Sequence, residues 1–327
     1  MAPRPSEFQL IAGLFAPLAT TRNALGLKDD AATLPQKAGH DIVVTADAIV
    51  SGVHFLDADP ADTVAQKALR VNLSDLAAKG ATPAAYLMTL ALPPSTDVKW
   101  LRAFADGLSA DQKTYGITLL GGDTTGTPGP LTISITAFGH VPKGKMLHRS
   151  RARTGDLLFV TGSIGDAAGG LAVLKGEGRW LSHAVRDHLI HRYRTPQPRT
   201  ALAKGLLGIA SASIDVSDGL IADVGHIAET SGKRIVIDIE SVPRSAALHG
   251  LWGDGRQALL KAISGGDDYE LAFTAPERHT RRIMALSAKT GVSISRIGHV
   301  EKGEGVALRD SHGKPVKLPK ASGWTHF

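Results

Sequence analysis

The sequence Asn72-Leu73-Ser74-Asp75-Leu76-Ala77-Ala78 lies within a longer stretch, Asp62–Lys79, that is rich in Ala and Leu. This composition predicts one long helix. Asp beside Ser is common at the start of helices, where the side chain caps free backbone N–H groups. Asp75 falls well inside the predicted helix, so capping does not account for it. Of the acidic residues in such motifs, it is the most indicative of function.

Before and after this helix, the sequence of the first half of the chain predicts a mixture of strands and helices. Apolar residues recur at helical spacing near the N-terminus, at Phe8, Ile11, Phe15 and Leu18. They predict an amphipathic opening helix rather than a signal peptide. Further along, the pattern predicts strands near Ile42–Thr45, Ala85–Leu92, Ile117–Leu120 and Leu131–Phe138, and a helix over Asp97–Thr114.

The second half follows a join at Val141-Pro142-Lys143-Gly144-Lys145. A turn that leads into a strand is predicted over Gly155–Val160. Further strands are predicted over Ile235–Ile239, Leu271–Thr274 and Val292–Ile297, the last two separated by a helix. Further helices are predicted near Asp166–Lys175, Thr200–Ala210 and Leu220–Thr230. Because strands and helices mix in both halves, the fold class expected is α/β (α+β). We expect two mixed domains, residues 1–145 and 146–327.

The composition excludes several classes of protein. The 327 residues include no Cys, which rules out disulfides, thiolate metal sites and a Cys nucleophile, and fits a cytoplasmic protein. No apolar run reaches the length of about 18 residues that a membrane-spanning helix needs. The net charge is +6, but the basic residues are dispersed. The densest group is His191-Arg192-Tyr193-Arg194, followed by Arg199, so phosphorylated small molecules are favoured over nucleic acid.

Five further motifs place Asp beside Gly, Ser or Thr at expected turns. They are Gly26-Leu27-Lys28-Asp29-Asp30, Thr45-Ala46-Asp47, Gly121-Gly122-Asp123-Thr124-Thr125, Asp215-Val216-Ser217-Asp218-Gly219 and Gly265-Gly266-Asp267-Asp268-Tyr269-Glu270. Mg²⁺ prefers such carboxylate oxygens, shared with substrate phosphates, and Gly lets the backbone approach those phosphates. For any one motif the alternative is a turn or a helix cap; Asp218, for example, could cap the next helix. The set as a whole indicates magnesium and phosphate chemistry.

These motifs, in this order, resemble the thiamine-monophosphate kinase family, within the superfamily of aminoimidazole ribonucleotide synthetase and selenophosphate synthetase. The Asn-Leu-Ser-Asp and Gly-Gly-Asp motifs are shared across the superfamily. The kinase family is favoured by Gly52-Val53-His54-Phe55, Asp268-Tyr269-Glu270-Leu271 and the terminal Trp324-Thr325-His326-Phe327. The lack of Cys argues against a selenophosphate synthetase. No P-loop, protein-kinase or Gly-x-Ser-x-Gly hydrolase motif is present.

The resemblance implies an enzyme that transfers the γ-phosphoryl group of ATP to thiamine monophosphate. It implies a homodimer that pairs through the N-terminal sheet, with the C-terminal domain packed on that sheet. The Mg²⁺ ligands that it implies are Asp30, Thr45, Asp47, Asp75, Asp123, Asp215 and Asp218. The residues implied at ATP are Gly122, Asp123, Arg149 and Ser217, and those at thiamine phosphate are His54, Asp267 and Trp324.

Each of these roles has a structural alternative. His54 could be a packed strand histidine or a capping donor, Trp324 a hydrophobic latch and Arg149 a surface arginine. Two positions also depart from the family pattern. Lys28 stands where Gly is usual, and Ala46 stands where Ser or Thr is usual, which removes one hydroxyl ligand.

No catalytic base or covalent nucleophile is expected. The acceptor is itself a phosphate, with a second pKa of about 6, so it is largely ionised at neutral pH. Repulsion between two anionic phosphates is the obstacle, and we expect Mg²⁺ and Arg149 to screen it during a direct in-line transfer. Two other functions stay open at this point: a related synthetase acting on a ribonucleotide, and a non-catalytic nucleotide-binding protein.

Overall fold

The computed structural model describes residues 6–319 and 323–324, which form two compact units. Unit 1 comprises described residues up to 76 together with 81–144, and unit 2 comprises residues 77–80 with the described residues from 145 onward. Each unit has its own sheet and its own buried apolar residues. The predicted fold class, mixed α/β with two sheets, is therefore confirmed.

Unit 1 is built on a four-stranded sheet with the order β1-β4-β2-β3. Its strands are β1 (His40–Val50), β2 (Thr82–Leu92), β3 (Thr118–Gly126) and β4 (Thr132–Pro142). Its helices are α1 (Glu7–Leu10), α2 (Ala61–Ala78), whose last two residues belong to unit 2, and α3 (Val98–Tyr115). The connection through α3 makes β2 and β3 parallel, and the other pairs are antiparallel.

The two faces of this sheet differ in their environment. Along β1, Val43 and Ile49 are buried, whereas Ile42 and Val44 are 41% and 59% exposed. Successive side chains of a strand point to opposite faces. One face of the sheet therefore carries the core of unit 1, and the other presents apolar side chains to solvent.

Unit 2 is built on a seven-stranded sheet with the order β11-β10-β7-β9-β5-β8-β6. Its strands are β5 (Asp156–Thr161), β6 (Ala212–Asp215), β7 (Arg234–Asp238), β8 (Leu271–Pro276), β9 (Ile294–Glu301), β10 (Gly305–Arg309) and β11 (Pro315–Val316). Its helices are α4 (Asp166–Leu174), α5 (His183–Arg194), α6 (Thr200–Leu206), α7 (Leu220–Ser231), α8 (Ala246–Trp252), α9 (Arg256–Ser264) and α10 (Thr280–Thr290). The inner strands β5 and β8 and the edge strand β6 are almost wholly buried.

The opening helix differs from its prediction. Only α1 is α-helical; a wider π turn follows over Ile11–Phe15 and a tighter 3-10 turn over Ala16–Leu18. Phe15 is buried, as the apolar stripe predicted, but Phe8 is 79% exposed. The change of helical pitch, with Pro17 unable to donate a backbone hydrogen bond, breaks the 3.6-residue period on which the prediction rested.

None of the described helices is both long enough and apolar enough to cross a membrane.

Several elements of unit 2 were not predicted from the sequence: helices α5, α8 and α9, and strands β6, β10 and β11.

Candidate functional site

Two loops of unit 2 carry four of the predicted site residues, Asp215, Ser217, Asp218 and Asp267. The first, residues 215–219, runs from the end of β6 to the start of α7 and is called loop A. The second, residues 265–270, joins α9 to β8 and is called loop B. Because β6 and β8 are neighbours in the sheet, the two loops leave it side by side.

Three backbone hydrogen bonds join the two loops. Val216 N–H donates to the Glu270 carbonyl (2.8 Å), and Tyr269 N–H donates to the Val216 carbonyl (2.8 Å). Asp267 N–H donates to the Ser217 carbonyl (2.8 Å). These bonds continue the pairing of the strands beyond the sheet, and they set Asp267 beside Ser217.

Glycine allows the loops to approach this closely. A Cβ atom on Gly266 would lie 2.5 Å from the Ser217 carbonyl oxygen. A Cβ on Gly219, whose φ is +124°, would lie 2.9 Å from the Ser264 carbonyl oxygen. Both contacts are with backbone, which cannot swing aside as a long side chain can. The glycines of both motifs are therefore required by packing.

Trp324 is attached to loop A. Its backbone N–H donates to the Asp218 carbonyl (2.9 Å), and a Cβ on the preceding Gly323 would lie 3.0 Å from the same oxygen. The Trp324 side chain is 56% exposed, so the ring is not buried as a latch would be. Residues 325–327, which complete the terminal motif, lie outside the described residues.

A further carboxylate, Asp223 on α7, lies beneath loop A. Its Oδ2 accepts the backbone N–H groups of Asp218 and Gly219, both at 3.1 Å. Burial, together with the nearby charge of Asp218, raises the pKa of Asp223 to about 7. No side chain caps α7 at Gly219, so Asp218 does not serve as the helix cap that was its structural alternative. With Asp215 also buried, this corner of unit 2 concentrates negative charge.

In unit 1, the predicted magnesium ligands fall into two groups. The first group is on the inward face of the sheet. Thr45 Oγ1 donates a hydrogen bond to the carboxylate of Asp75, on α2. Asp47, two residues after Thr45 on β1, lies on the same face. Ala46 points to the opposite face, so a hydroxyl at that position would not lie beside Thr45.

The second group, Asp30 and Asp123, lines a cavity of about 620 Å³ together with Asp29. The strand registers pair Asp123 with Thr89, Thr89 with Ser134, and Ser134 with Ala48. Paired residues share a face, and Ala48 is on the face opposite Thr45. Asp123 therefore lies on the outward face of the sheet. In the same motif, a Cβ on Gly122 would lie only 1.7 Å from the Met88 carbonyl oxygen.

The donor atoms suit Mg²⁺, because they are all carboxylate or hydroxyl oxygens. The described residues that line the 620 Å³ cavity include three Asp side chains and no basic one. Within residues 6–319 and 323–324, however, no group of three or more acidic or His side chains is close enough together to hold a metal ion. The predicted cluster of ions stays a prediction.

His54 and Arg149 have structural contacts of their own. His54 Nδ1 accepts the Val50 backbone N–H (3.0 Å), and the His54 carbonyl accepts a hydrogen bond from buried Lys67 (2.8 Å). The ring thus stabilises the turn after β1, as a hydrogen-bond acceptor rather than as the capping donor considered for it. Arg149 is exposed, and its carbonyl accepts a hydrogen bond from Ser231 Oγ (3.1 Å).

Sequence reasoning gave no role to Asp223 or Glu270. Asp223 follows loop A within the first turn of α7, a position where acidic side chains often accept free N–H groups, so a capping pattern was a usable signal. Glu270 was quoted in a motif, but its contacts are made with residues far away in sequence. No local pattern could have revealed those contacts.

Comparison with known proteins places the chain in a class. Residues 28–141 match the AIR synthase related protein, N-terminal domain, and residues 153–311 match the AIR synthase related protein, C-terminal domain. The fold and the acidic motifs thus define a member of this class of two-domain proteins.

Three relatives narrow the class further. The chain is 42% identical to the thiamine-monophosphate kinase of Caulobacter vibrioides, over 99% of this chain and 92% of that protein. The crystal structure of thiamine-monophosphate kinase from Stenotrophomonas maltophilia is 41% identical, with a TM-score of 0.84 over 95% of this chain and 98% of that one. AaThiL, solved in complex with AMPPCP and TMP, is 33% identical, with a TM-score of 0.79 over 98% of this chain and 97% of that one. The chain belongs to the thiamine-monophosphate kinase family.

Proposed function

We propose that this protein phosphorylates thiamine monophosphate with ATP, giving thiamine diphosphate and ADP. A phosphate oxygen of thiamine monophosphate attacks the γ-phosphorus of ATP, and the bond from that phosphorus to the oxygen bridging to ADP breaks. The complex of AaThiL with AMPPCP and TMP supports this choice of donor and acceptor.

The observation that carries the proposal is the hydrogen bond from Trp324 N–H to the Asp218 carbonyl (2.9 Å). It joins an exposed aromatic side chain to a loop that carries carboxylates. An aromatic ring attracts an organic cation such as thiamine through its π face. Asp267, hydrogen-bonded to the same loop, lies within this group. Loop A, loop B and Trp324 therefore combine an aromatic ring able to bind the thiamine rings with carboxylates suited to metal-bound phosphates.

Mg²⁺ is the metal whose preferred ligands match the acidic motifs. We propose that Asp215 and Asp218 hold it in unit 2, and that Thr45, Asp47, Asp75, Asp30 and Asp123 hold it in unit 1. When bound, Mg²⁺ neutralises phosphate charge and lets two anionic groups approach. Gly122, Asp123, Arg149 and Ser217 are proposed to contact ATP, and His54, Asp267 and Trp324 to contact thiamine monophosphate.

No side chain is needed to take a proton from the acceptor. Its phosphate is already largely ionised at neutral pH, because the second pKa of a phosphate monoester is about 6. The protein's part is to orient donor and acceptor and to offset their repulsion. We therefore propose direct transfer, without a phosphorylated enzyme. A phosphoprotein that forms and decays as fast as turnover would contradict this.

We also propose a homodimer that pairs through the outward face of the unit 1 sheet. Ile42, Val44 and Leu87 are 41%, 59% and 37% exposed on this face, and grouped apolar exposure of this kind is typical of interaction surfaces. Light scattering after gel filtration should give twice the mass of the chain, and Val44→Glu should give the mass of one chain. A cytoplasmic location, expected from the lack of Cys, stays a prediction.

The test of the function is direct. The purified protein is incubated with ATP, MgCl₂ and thiamine monophosphate, and thiamine diphosphate is measured by chromatography. We expect a product that needs all three reagents and that is lost when EDTA replaces the metal. Turnover of a ribonucleotide instead would favour a synthetase of the same superfamily. Tight ATP binding with no turnover would favour a non-catalytic nucleotide-binding protein.

A further inference from the structure

Glu270 is the last residue of loop B, and its side chain is fully buried. Its carboxylate accepts hydrogen bonds from Arg192 Nη2 (2.8 Å), Arg199 Nε (2.6 Å) and Thr161 Oγ1 (2.6 Å). Arg199 also donates from Nη2, which makes its contact bidentate. The two arginines belong to the densest basic stretch of the sequence. They are largely buried against Glu270, rather than forming an exposed basic surface.

The Glu270 carboxylate is enclosed by backbone and by charged side chains. A Cβ on Gly162, at the end of β5, would lie 2.1 Å from its Oε1, so the backbone closes one side of the carboxylate. The two guanidinium groups close another. A buried carboxylate with charged partners on fixed elements, here α5 and the segment before α6, is a rigid point in the fold.

This rigid point is coupled to the proposed site through the backbone. The Glu270 carbonyl accepts the Val216 N–H of loop A, so a displacement of Glu270 shifts both loops. Loop B also has two residues that are strained for side chains other than Gly: Asp267 has φ +71° and Tyr269 has φ +51°. Such conformations persist only where the surroundings enforce them.

We propose that Arg192 and Arg199 are positioning residues for phosphoryl transfer. They act through Glu270, which holds loop B in its strained conformation and thereby places Asp267 against Ser217 and Asp218. The identity of the ligand rests on the proposed function, whereas the mechanical coupling does not. Arg192 and Arg199 need not touch either substrate.

The test compares two equivalent substitutions. Arg199→Lys keeps the charge but loses the bidentate contact with Glu270. Arg70→Lys is the matched control, because Arg70 donates from Nε (2.7 Å) and Nη2 (2.8 Å) to Asp111, also a buried carboxylate. The exposed fractions of the two arginine side chains are alike, 14% for Arg199 and 12% for Arg70. Both variants are studied at a temperature where thermal unfolding curves show them to be folded.

Two quantities are measured for each variant. Hydrogen exchange followed by mass spectrometry reports the amides of residues 265–271, and steady-state kinetics reports kcat/KM for thiamine monophosphate. Arg199→Lys should speed exchange in this segment and lower kcat/KM by at least about 10-fold, since misplacement of about 1 Å can cost up to about 100-fold. Arg70→Lys should leave the exchange of this segment unchanged and kcat/KM within about 2-fold of the wild type.

Unchanged exchange in Arg199→Lys, or equal acceleration in both variants, would overturn the coupling. Faster exchange with wild-type kcat/KM would overturn the positioning role. The exchange measurement needs no substrate, so it decides the coupling even if the wild type fails to phosphorylate thiamine monophosphate. That failure would count against the proposed function alone.

Discussion

The proposed ligands in the two units are held in different ways. In unit 2, three backbone hydrogen bonds join loops A and B, and glycines permit their close contact. In unit 1, the proposed ligands project from two strands, a helix and a loop, and they lie on opposite faces of one sheet. In unit 2, backbone contacts between the loops thus position the proposed ligands. In unit 1, the proposed ligands are positioned separately, each by its own strand, helix or loop.

This difference predicts how each region responds to mutation. Where backbone contacts position the ligands, turnover should be sensitive to any added bulk, even if the altered residue has no chemical role. Where the ligands are positioned separately, turnover should be sensitive mainly to the loss of the oxygen ligand itself. The following substitutions test that distinction, in order of decreasing effect on turnover.

The largest effect is expected from Gly266→Ala. The added methyl would lie 2.5 Å from the Ser217 carbonyl oxygen, so loops A and B must separate. We expect kcat/KM to fall by about 100-fold or more, and overpacking to cost about 1–3 kcal/mol of unfolding free energy. Gly255→Ala is the control, because nothing lies within 4 Å of its added methyl. Equal kinetics for the two variants would contradict a backbone-fixed site.

In unit 1, Asp75→Asn removes a carboxylate charge but keeps the side-chain shape. If Asp75 is a metal ligand, the loss of several kcal/mol of charge stabilisation should lower kcat by roughly 100-fold. The melting temperature should change little, since Thr45 can still donate to the amide oxygen. Asp62→Asn, an exposed position in the first turn of the same helix, should have wild-type kcat. Wild-type kcat for Asp75→Asn would remove Asp75 from the set of ligands.

A smaller effect is expected from Trp324→Ala. Cation–π contacts are worth about 0.5–2 kcal/mol, so KM for thiamine monophosphate should rise roughly 2- to 30-fold while KM for ATP stays constant. Trp324→Phe should recover much of the loss. Trp180→Ala removes a Trp that is 73% exposed, outside the loops, and it should change neither constant. A parallel rise in both KM values would point to disturbance of loop A instead.

The smallest change in turnover is expected for Asp223→Asn, whose effect should appear in stability against pH. The pKa of Asp223 is raised from 3.8 to about 7 in the folded state, so the folded protein binds this proton more tightly than the unfolded chain. The stability that this group contributes is present at low pH and is lost as the pH rises from about 4 to about 7. Over that range the loss is a few kcal/mol, at about 1.4 kcal/mol per pKa unit.

Urea unfolding in EDTA, at several pH values, measures how the unfolding free energy depends on pH. Asp223→Asn should flatten the fall in unfolding free energy between pH 4 and pH 7. Asp187→Asn, at an exposed position on α5, should keep the slope of the wild type. An unchanged slope in Asp223→Asn would mean that other groups account for the pH dependence.

The long elements of the fold were predictable because their patterns are local. α2 follows from a stretch rich in Ala and Leu, α3 follows from the pattern of residues 97–114, and β2 follows from an apolar run before Pro93 and Pro94. α5 was missed because its residues are mostly charged or His, and only burial of Leu189, Arg192 and Tyr193 reveals its inner face. The four residues of β6 are too few to show a period. Pairing with β8 makes them a strand.

The sequence by itself determined which residues are proposed as oxygen ligands and in which order they occur, since motif chemistry is a local property of the chain. It also determined the family and the mixed α/β class. The tertiary structure alone decided which of these residues meet. It set Asp267 and Trp324 against loop A, separated Asp123 from Thr45 across the sheet, and brought Arg192 and Arg199 to Glu270. The reason is that strand register and packing join residues that are far apart in sequence, and no local pattern encodes those pairings.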